Sequence, residues 1–256
     1  MLVAHISDTH LGYRQYNMDE REMDFYEAFR EAVELALSEH VDLVVHSGDL
    51  FEDPRPPVRA LYEAKQGLAK LRERGVEVYA VLGDHDLPKR RAMPPHSLLS
   101  EYVHVLGLDV DHDVAELQGT RVLIAGLHHH SRRYRDLLKE RLGHLARLAE
   151  PYSKSVLVLH QSLDRFLPFE YELCLDEVPT SFSYVAMGHV HRRGSAWHHH
   201  TLIAYAGSLE VARRDEVAAW REVGKGFYLV DLSGDEPAIH RVDLSCVRPQ
   251  VEAVVR

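Results

Sequence analysis

Aspartate and histidine recur in this chain where apolar runs end. Asp8 and His10 follow LVAHIS, Asp49 follows VDLVVHSG, and Asp84 and His85 follow VEVYAVLG. His160 closes SVLVLH, and His189 and His191 close YVAMGHVH. In an extended segment the members of an i, i+2 pair such as Asp8/His10 or His189/His191 face the same side, so both can approach one ion. Four imidazoles and three carboxylates from this set fill two coordination shells if one carboxylate is shared. Mixed nitrogen and oxygen ligation suits manganese, iron or zinc better than calcium. Two such ions about 3.5–4 Å apart clamp the attacking and leaving oxygens of a phosphoryl displacement, with water or hydroxide as nucleophile and no covalent enzyme intermediate. Gly48, Gly83 and Gly188 precede Asp49, Asp84 and His189 and leave room for tight turns that bring ligands close. A single Asp-x-His or Gly-Asp is more often an ordinary turn. The ordered set, each member after an expected strand, outweighs that bland reading.

The elements that must position these residues follow from periodicity. LVAHI at 2–6, VDLVVH at 41–46 and VEVYAVL at 76–82 read as strands. Between them, Phe25, Phe29, Ala32, Val33, Ala36 and Leu37 recur at helical spacing after the acidic start Asp19/Glu22. A second helix is expected from about Val58 to Arg74, carrying Leu61, Leu68 and Leu71 and closed by Gly75. This alternation predicts βαβ units with a buried parallel sheet, where ligand sites form at the carboxyl ends of strands. Further on, VLIAGL (122–127) and SVLVLH (155–160) flank a helix at about 132–149 with Leu138, Leu142 and Leu145 on one face. YVAMGHVH (184–191), TLIAYAGS (201–208) and GFYLVD (226–231) follow with hardly any helical pattern between them, which favours antiparallel pairing there. The order suits an α/β fold, a two-sheet β-sandwich flanked by helices.

Composition bounds the rest. The chain has 256 residues, 45% hydrophobic and 27% charged, as in a globular protein with its own core. No apolar run reaches the ~18 residues of a membrane span, and Met1 leads straight into a strand-like segment without a signal-peptide pattern. A cytoplasmic protein is expected. Cys174 and Cys246 lack metal-ligand spacing and fit a reducing compartment, which rules out a disulfide framework. A net charge of −10 argues against broad phosphate binding by the whole surface but leaves room for a local basic site. Nineteen histidines exceed what packing requires. His128-His129-His130 and His198-His199-His200 lack the turn glycines of the main set and are expected at the surface rather than in a third metal site.

The ordered motifs DTH (8–10), GD (48–49), GDHD (83–86), His160 and GHVH (188–191) resemble those of the calcineurin-like metallophosphoesterases. Within that superfamily, SDTHLGYRQY (7–16), HSGDLFEDPRPP (46–57), AGSLE (206–210) and KGFYLVDL (225–232) resemble the meiotic recombination eleven/SbcD family of double-strand-break repair nucleases. The likeness runs from residue 1 to about 250. It implies the four-layer α/β/β/α metallophosphoesterase fold over 1–247, with 248–256 as the start of a DNA-capping domain that is truncated or absent. It also implies a DNA phosphodiesterase using two Mn²⁺ per chain, acting as a 3′–5′ exonuclease on duplex ends and as an endonuclease on single strands. The implied partners are DNA, a second copy in a homodimer, and a coiled-coil ABC-type ATPase whose binding segment is expected to be missing. The implied setting is nucleoid-associated repair.

Carried over residue by residue, the resemblance gives one ion Asp8, His10, Asp49 and His191, and the other Asp49, Asp84, His160 and His189. Asp49 bridges. His85 matches a non-ligating histidine placed to stabilise the transition state or protonate the departing 3′-oxygen. Asp84 departs from the family, which usually has Asn there. Glu52 is a further acidic residue at the rim. Lys89-Arg90-Arg91 and Arg192-Arg193 directly follow two of the motifs, so Arg90, Arg91 and Arg192 are candidate DNA contacts. Leu61, Tyr62, Leu98 and Leu99 are expected, by resemblance, at the dimer interface. Two other functions use the same ligands: hydrolysis of small phosphoesters, and DNA tethering without catalysis.

Overall fold

The computed structural model describes residues 1–90 and 92–251. From the amino end the chain runs β1 (Leu2–Ile6), α1 (Asp19–Ser38), β2 (Leu43–His46), α2 (Val58–Glu73), β3 (Glu77–Val81) and β4 (His104–Leu106). Then come β5 (His112–Leu117), β6 (Thr120–Leu127), α3 (Arg135–Ala149), β7 (Lys154–His160), β8 (Tyr184–Gly188), β9 (Gly194–His198) and β10 (Thr201–Tyr205). The chain closes with α4 (Glu216–Val223), β11 (Gly226–Asp231) and β12 (Ala238–Asp243).

Because successive strand side chains point to opposite faces, a strand buried on both sides must be apolar throughout. β1 shows the division. Val3 enters a core with Val45, Tyr79, Val122, Val156 and Val158, whereas Ala4 and Ile6 join Phe29, Ala32, Val33, Leu68 and Leu71 of α1 and α2. The first core lies between two six-stranded sheets, ordered β12-β11-β1-β2-β3-β4 and β5-β6-β7-β8-β10-β9. Leu157 and Leu159 point the other way, onto Leu138, Leu142 and Leu145 of α3. The layers are therefore α/β/β/α, as expected. Each fully buried Val or Leu contributes roughly 1.5–3 kcal/mol, so three such cores hold the sandwich rigid under its loops.

Local signals set the element ends. α1 opens on Asp19, Glu20 and Glu22, whose charge complements the helix amino terminus. α2 ends where Gly75 N–H donates to Arg72 O at 2.9 Å and Val76 N–H to Leu71 O at 3.0 Å.

The antiparallel pairing expected among the later strands holds for β9 with β10 and for β11 with β1 and β12, whereas β8 and β10 pair parallel. Two expectations are corrected. The expected absence of a helix after residue 191 fails at α4, an eight-residue helix that buries only Glu216 and Val217 and so has almost no apolar stripe. Leu99 is 2% exposed and packs in the α1–α2 core with Val103, so it is a core residue and cannot sit in a subunit interface. Leu61 is half-buried against the same core, and Tyr62 and Leu98 are exposed at 59% and 70%. Among the described residues no helix is long and apolar enough to cross a membrane.

Candidate metal centre

The loops that leave the carboxyl ends of β1, β2, β3, β7 and β8 converge at one end of the sandwich. Main-chain bonds lace them together. Asp8 N–H donates to Gly48 O at 3.1 Å and His10 N–H to Asp49 O at 3.0 Å, joining the loops after β1 and β2. Asp86 joins the loops after β2 and β3, because its carboxylate accepts from Leu50, Phe51 and Gly83 N–H at 3.2, 3.0 and 3.0 Å. Burial and the charge of Asp49 push the Asp86 carboxyl up to about 7. His189 N–H reaches across to Asp8 Oδ1 at 3.0 Å and ties the second sheet to the first.

The glycines permit this approach. A Cβ on Gly48 would lie 2.3 Å from His160 Nδ1, and one on Gly188 would lie 2.0 Å from Ser47 O. Four of the expected ligands hold left-handed backbone that non-glycine residues seldom adopt: Asp8 (φ 48°), His10 (φ 49°), Asp49 (φ 54°) and His189 (φ 84°). Strain of this kind persists only where the surroundings over-determine it.

All seven expected ligands gather. On one side, ligand atoms of Asp8, His10 and His191 lie within 4.8 Å of one another, with His10 Nε2 3.8 Å from Asp49 Oδ2. On the other, His160 Nε2 lies 3.3 Å from Asp49 Oδ2 and 3.2 Å from Asp84 Oδ1, and His189 Nδ1 lies 3.0 Å from Asp84 Oδ1. Asp49, 1% exposed, stands between the two groups.

The donor chemistry fits divalent cations. His10 Nδ1 donates to Glu52 Oε2 at 2.8 Å and His191 Nδ1 to Glu216 Oε1 at 2.7 Å, which leaves Nε2 of each ring as the nitrogen open to a cation. Those two Nε2 atoms face each other at 3.0 Å, a repulsive arrangement that a cation makes attractive. His160 Nδ1 donates to Ser47 O at 2.7 Å, so its Nε2 faces the carboxylates of Asp49 and Asp84, where it holds a proton that a metal ion would replace. Burial opposes charge on His160, yet Asp49 and Asp84 outweigh it and hold the imidazole well above its usual pKa. Burial likewise opposes ionisation of Asp49 and Asp84, yet His160 holds both far below the usual carboxylate range. The pocket is thus tuned for positive charge beside ionised carboxylates.

His85 sits at the mouth with its side chain 28% exposed. Its Nδ1 donates to Glu52 O at 2.8 Å, and its ring meets the His10 ring edge-on at 4.9 Å between centroids. Burial would lower its pKa, but Asp49 and Glu52 raise it above the ordinary value. Its ligand atom also lies within 4.8 Å of those of His10 and Glu52.

Three neighbours of the expected ligands, His129, Glu216 and Lys225, were not foreseen from the sequence. The expectation that His128-His129-His130 is exposed is overturned: His130 is buried, and burial lowers its pKa to about 4. His129 donates from Nδ1 to His160 O at 3.1 Å, and its ligand atom lies within 4.8 Å of those of Asp84 and His189. The missed signal was position, since these residues follow the carboxyl end of β6, the parallel neighbour of β7. Glu216 and Lys225 stand behind His191, joined by tertiary contacts alone. In the second triplet His199 and His200 are exposed as expected, whereas His198 is half-buried.

The basic residues divide. Arg90 is exposed, and Arg91 lies outside the described residues. Arg192 is exposed and pairs with Glu222 at 2.9 Å. Arg193 turns inward, 4% exposed, donating to Val242 O at 2.5 Å and pairing with Asp243, so it braces β12 and is not available to DNA.

Comparison with known proteins agrees with this geometry. Residues 1–193 match the family model for calcineurin-like phosphoesterases. The chain is 40% identical over 250 residues to the DNA double-strand break repair protein Mre11 of Methanocaldococcus jannaschii, covering 96% of this chain and 67% of that protein. It is 39% identical over 254 residues to Mre11 of Thermoplasma acidophilum, covering 96% of this chain and 66% of that one. The chain thus spans about two thirds of the length of these relatives. Among solved structures, TT1561 of Thermus thermophilus aligns with a TM-score of 0.59 at 15% identity over 93% of this chain and 97% of that one, a likeness of fold. With the sandwich, the shared-carboxylate site and these relatives in agreement, the chain belongs to the calcineurin-like phosphoesterases and, among them, to the Mre11 family.

Proposed function

We propose that this chain is the catalytic core of a DNA double-strand-break repair nuclease that hydrolyses phosphodiester bonds with two Mn²⁺ ions. The observation that carries the reading is the pair of ligand groups sharing Asp49, with His85 beside them. Asp8, His10, Asp49 and His191 would hold one ion, and Asp49, Asp84, His160 and His189 the other. When bound, the ions supply the positive charge that polarises a phosphodiester and activates water at neutral pH. The protein residues do the rest. Asp86 and the laced main chain fix the ligand loops, and Glu52 holds His10 and His85 in register. His85 gives a proton to the departing 3′-oxygen through Nε2, the nitrogen that its bond to Glu52 O leaves free.

The reading extends to the surroundings. Duplex ends degraded 3′ to 5′ and single strands cut internally are the proposed substrates, and the proposed setting is the nucleoid. Arg90 and Arg192 would contact the phosphate backbone, and Arg91, outside the described residues, would act with them. Exposed Tyr62 and Leu98, with half-buried Leu61 beneath, are the proposed contact between two copies, without Leu99. Residues 1–247 are proposed as the phosphoesterase domain and 248–256 as the approach to a DNA-capping region, with a coiled-coil ABC-type ATPase as partner of the whole assembly.

The test is Mn²⁺-dependent degradation of an end-labelled duplex, run beside hydrolysis of a small phosphomonoester. Duplex degradation is expected to dominate. Monoester hydrolysis without duplex cleavage would make the chain a small-substrate phosphoesterase, and metal-independent DNA binding without cleavage would make it a tether.

A further inference from the structure

The two halves of the metal centre are backed differently. His160 leans on a neutral main-chain oxygen, Ser47 O, whereas His191 leans on a carboxylate, Glu216, that is itself held in place. Glu216 is the first residue of α4 and is 7% exposed. Its Oε1 accepts from His191 Nδ1 at 2.7 Å. Its Oε2 accepts from Lys225 Nζ at 2.5 Å, from Ser208 Oγ at 3.2 Å and from Ala212 N–H at 3.2 Å. Lys225, 4% exposed, also donates to His191 O at 3.0 Å and to Ser208 Oγ. The ring of His191 is therefore held by Glu216 and its main chain by Lys225, two contacts on opposite ends of one residue.

A buried ion pair that serves only stability is a poor bargain beside apolar packing. This pair is aimed at a ligand. A carboxylate behind a metal-binding imidazole fixes the tautomer and the ring plane and makes the free nitrogen a stronger donor. The same contacts give a role to AGSLE and KGFYLVDL, which supply Ser208 and Lys225 yet contain no ligand.

We infer that Glu216, clamped by Lys225, is the positioning residue for His191, and that Mn²⁺ retention by the Asp8/His10/Asp49/His191 half depends on it while the other half does not. The inference rests on the two-ion reading above. It is tested by calorimetric titration of Mn²⁺ into chelator-treated protein, comparing wild type, Glu216→Gln, Glu216→Ala, and the double variant Glu216→Gln/Lys225→Met, which removes both buried charges together so that neither is stranded. The visible spectrum after Co²⁺ loading and the melting temperature of the metal-free form are measured alongside.

Wild type is expected to take two Mn²⁺. In the folded variants one affinity should fall about 10- to 100-fold, more for Ala than for Gln, with the other unchanged and the Co²⁺ bands shifted. Affinities within twofold of wild type in a folded double variant would overturn the inference alone, as would an equal loss at both sites, which marks a merely structural role. Wild type that takes up no Mn²⁺ would overturn both the inference and the two-ion reading.

Discussion

His85 and Asp49 are joined through the main chain: His85 N–H donates to Asp49 Oδ1 at 3.0 Å, while the His85 imidazole turns away to Glu52 O. The link to the bridging carboxylate is thus independent of the ring. His85→Gln is expected to retain both metals and to lose about 10²- to 10⁴-fold in cleavage rate, the usual worth of general acid catalysis. Metal content by mass spectrometry beside a nuclease assay checks this, and a fully active variant would remove His85 from the chemistry.

Asp84 Oδ1 stands 3.2 Å from His160 Nε2 and 3.0 Å from His189 Nδ1. An asparagine would keep the oxygen and remove the charge, which matters most between two imidazoles. Asp84→Asn should weaken Mn²⁺ at the His160/His189 half by about tenfold, equivalent to a loss of about 1.4 kcal/mol. Titration of the variant reads the effect directly; unchanged affinity would mean that the carboxylate charge is not felt there.

The Nε2 atoms of His10 and His191 face each other at 3.0 Å, a contact that a cation between them relieves. Saturating Mn²⁺ is therefore expected to raise the melting temperature by roughly 5–10 °C at a hundredfold excess over the dissociation constant, and chelation to reverse it. Ca²⁺, which prefers an all-oxygen shell, should give a smaller shift. Equal shifts with both ions would speak against imidazole ligation.

Away from the site, His5 is wholly buried between the sheets, bonded to Tyr184 Oη at 2.7 Å and Ser47 Oγ at 2.9 Å, and burial lowers its pKa to about 3. The unfolded chain takes up this proton near pH 6.5, before the folded one does. Stability from neutral His5 is thus complete above about 6.5 and declines as pH falls toward 3, by up to about 1.4 kcal/mol per pH unit. Denaturant melts of wild type and His5→Gln at about pH 7 and pH 4.5 should show the penalty of the substitution shrinking by roughly 1–3 kcal/mol at the lower pH. A penalty independent of pH would show that His5 does not titrate between folded and unfolded states.

What was legible in the sequence was what strands and ligands impose locally. The apolar runs that became β1, β2, β3, β7 and β8 are buried on both faces, and each carries expected ligands at its carboxyl end. β12 was not legible because it is an edge strand with no buried residue, defined by pairing with β11 rather than by its own pattern. Arg192 and Arg193 look alike as neighbours in sequence. Only the turn into β9 sends the second one inward, so adjacency could not separate a surface charge from a brace. Leu99 beside Leu98 fails for the same reason, because one short turn of helix exposes one and buries the other. Glu216 reaches His191 across 25 residues, and no spacing rule announces such a contact.

The left-handed backbone at Asp8, His10, Asp49 and His189 has a bearing on directed evolution of this enzyme. Each such residue carries on the order of 1–3 kcal/mol of unfavourable conformation, and glycine would release much of it. A selection for heat resistance carried out without metal would accordingly drift toward glycine at positions 8 and 49, enriching sturdier molecules that lack two of the carboxylates proposed to hold the ions. Libraries meant to harden the enzyme should hold those positions fixed or be screened with manganese present.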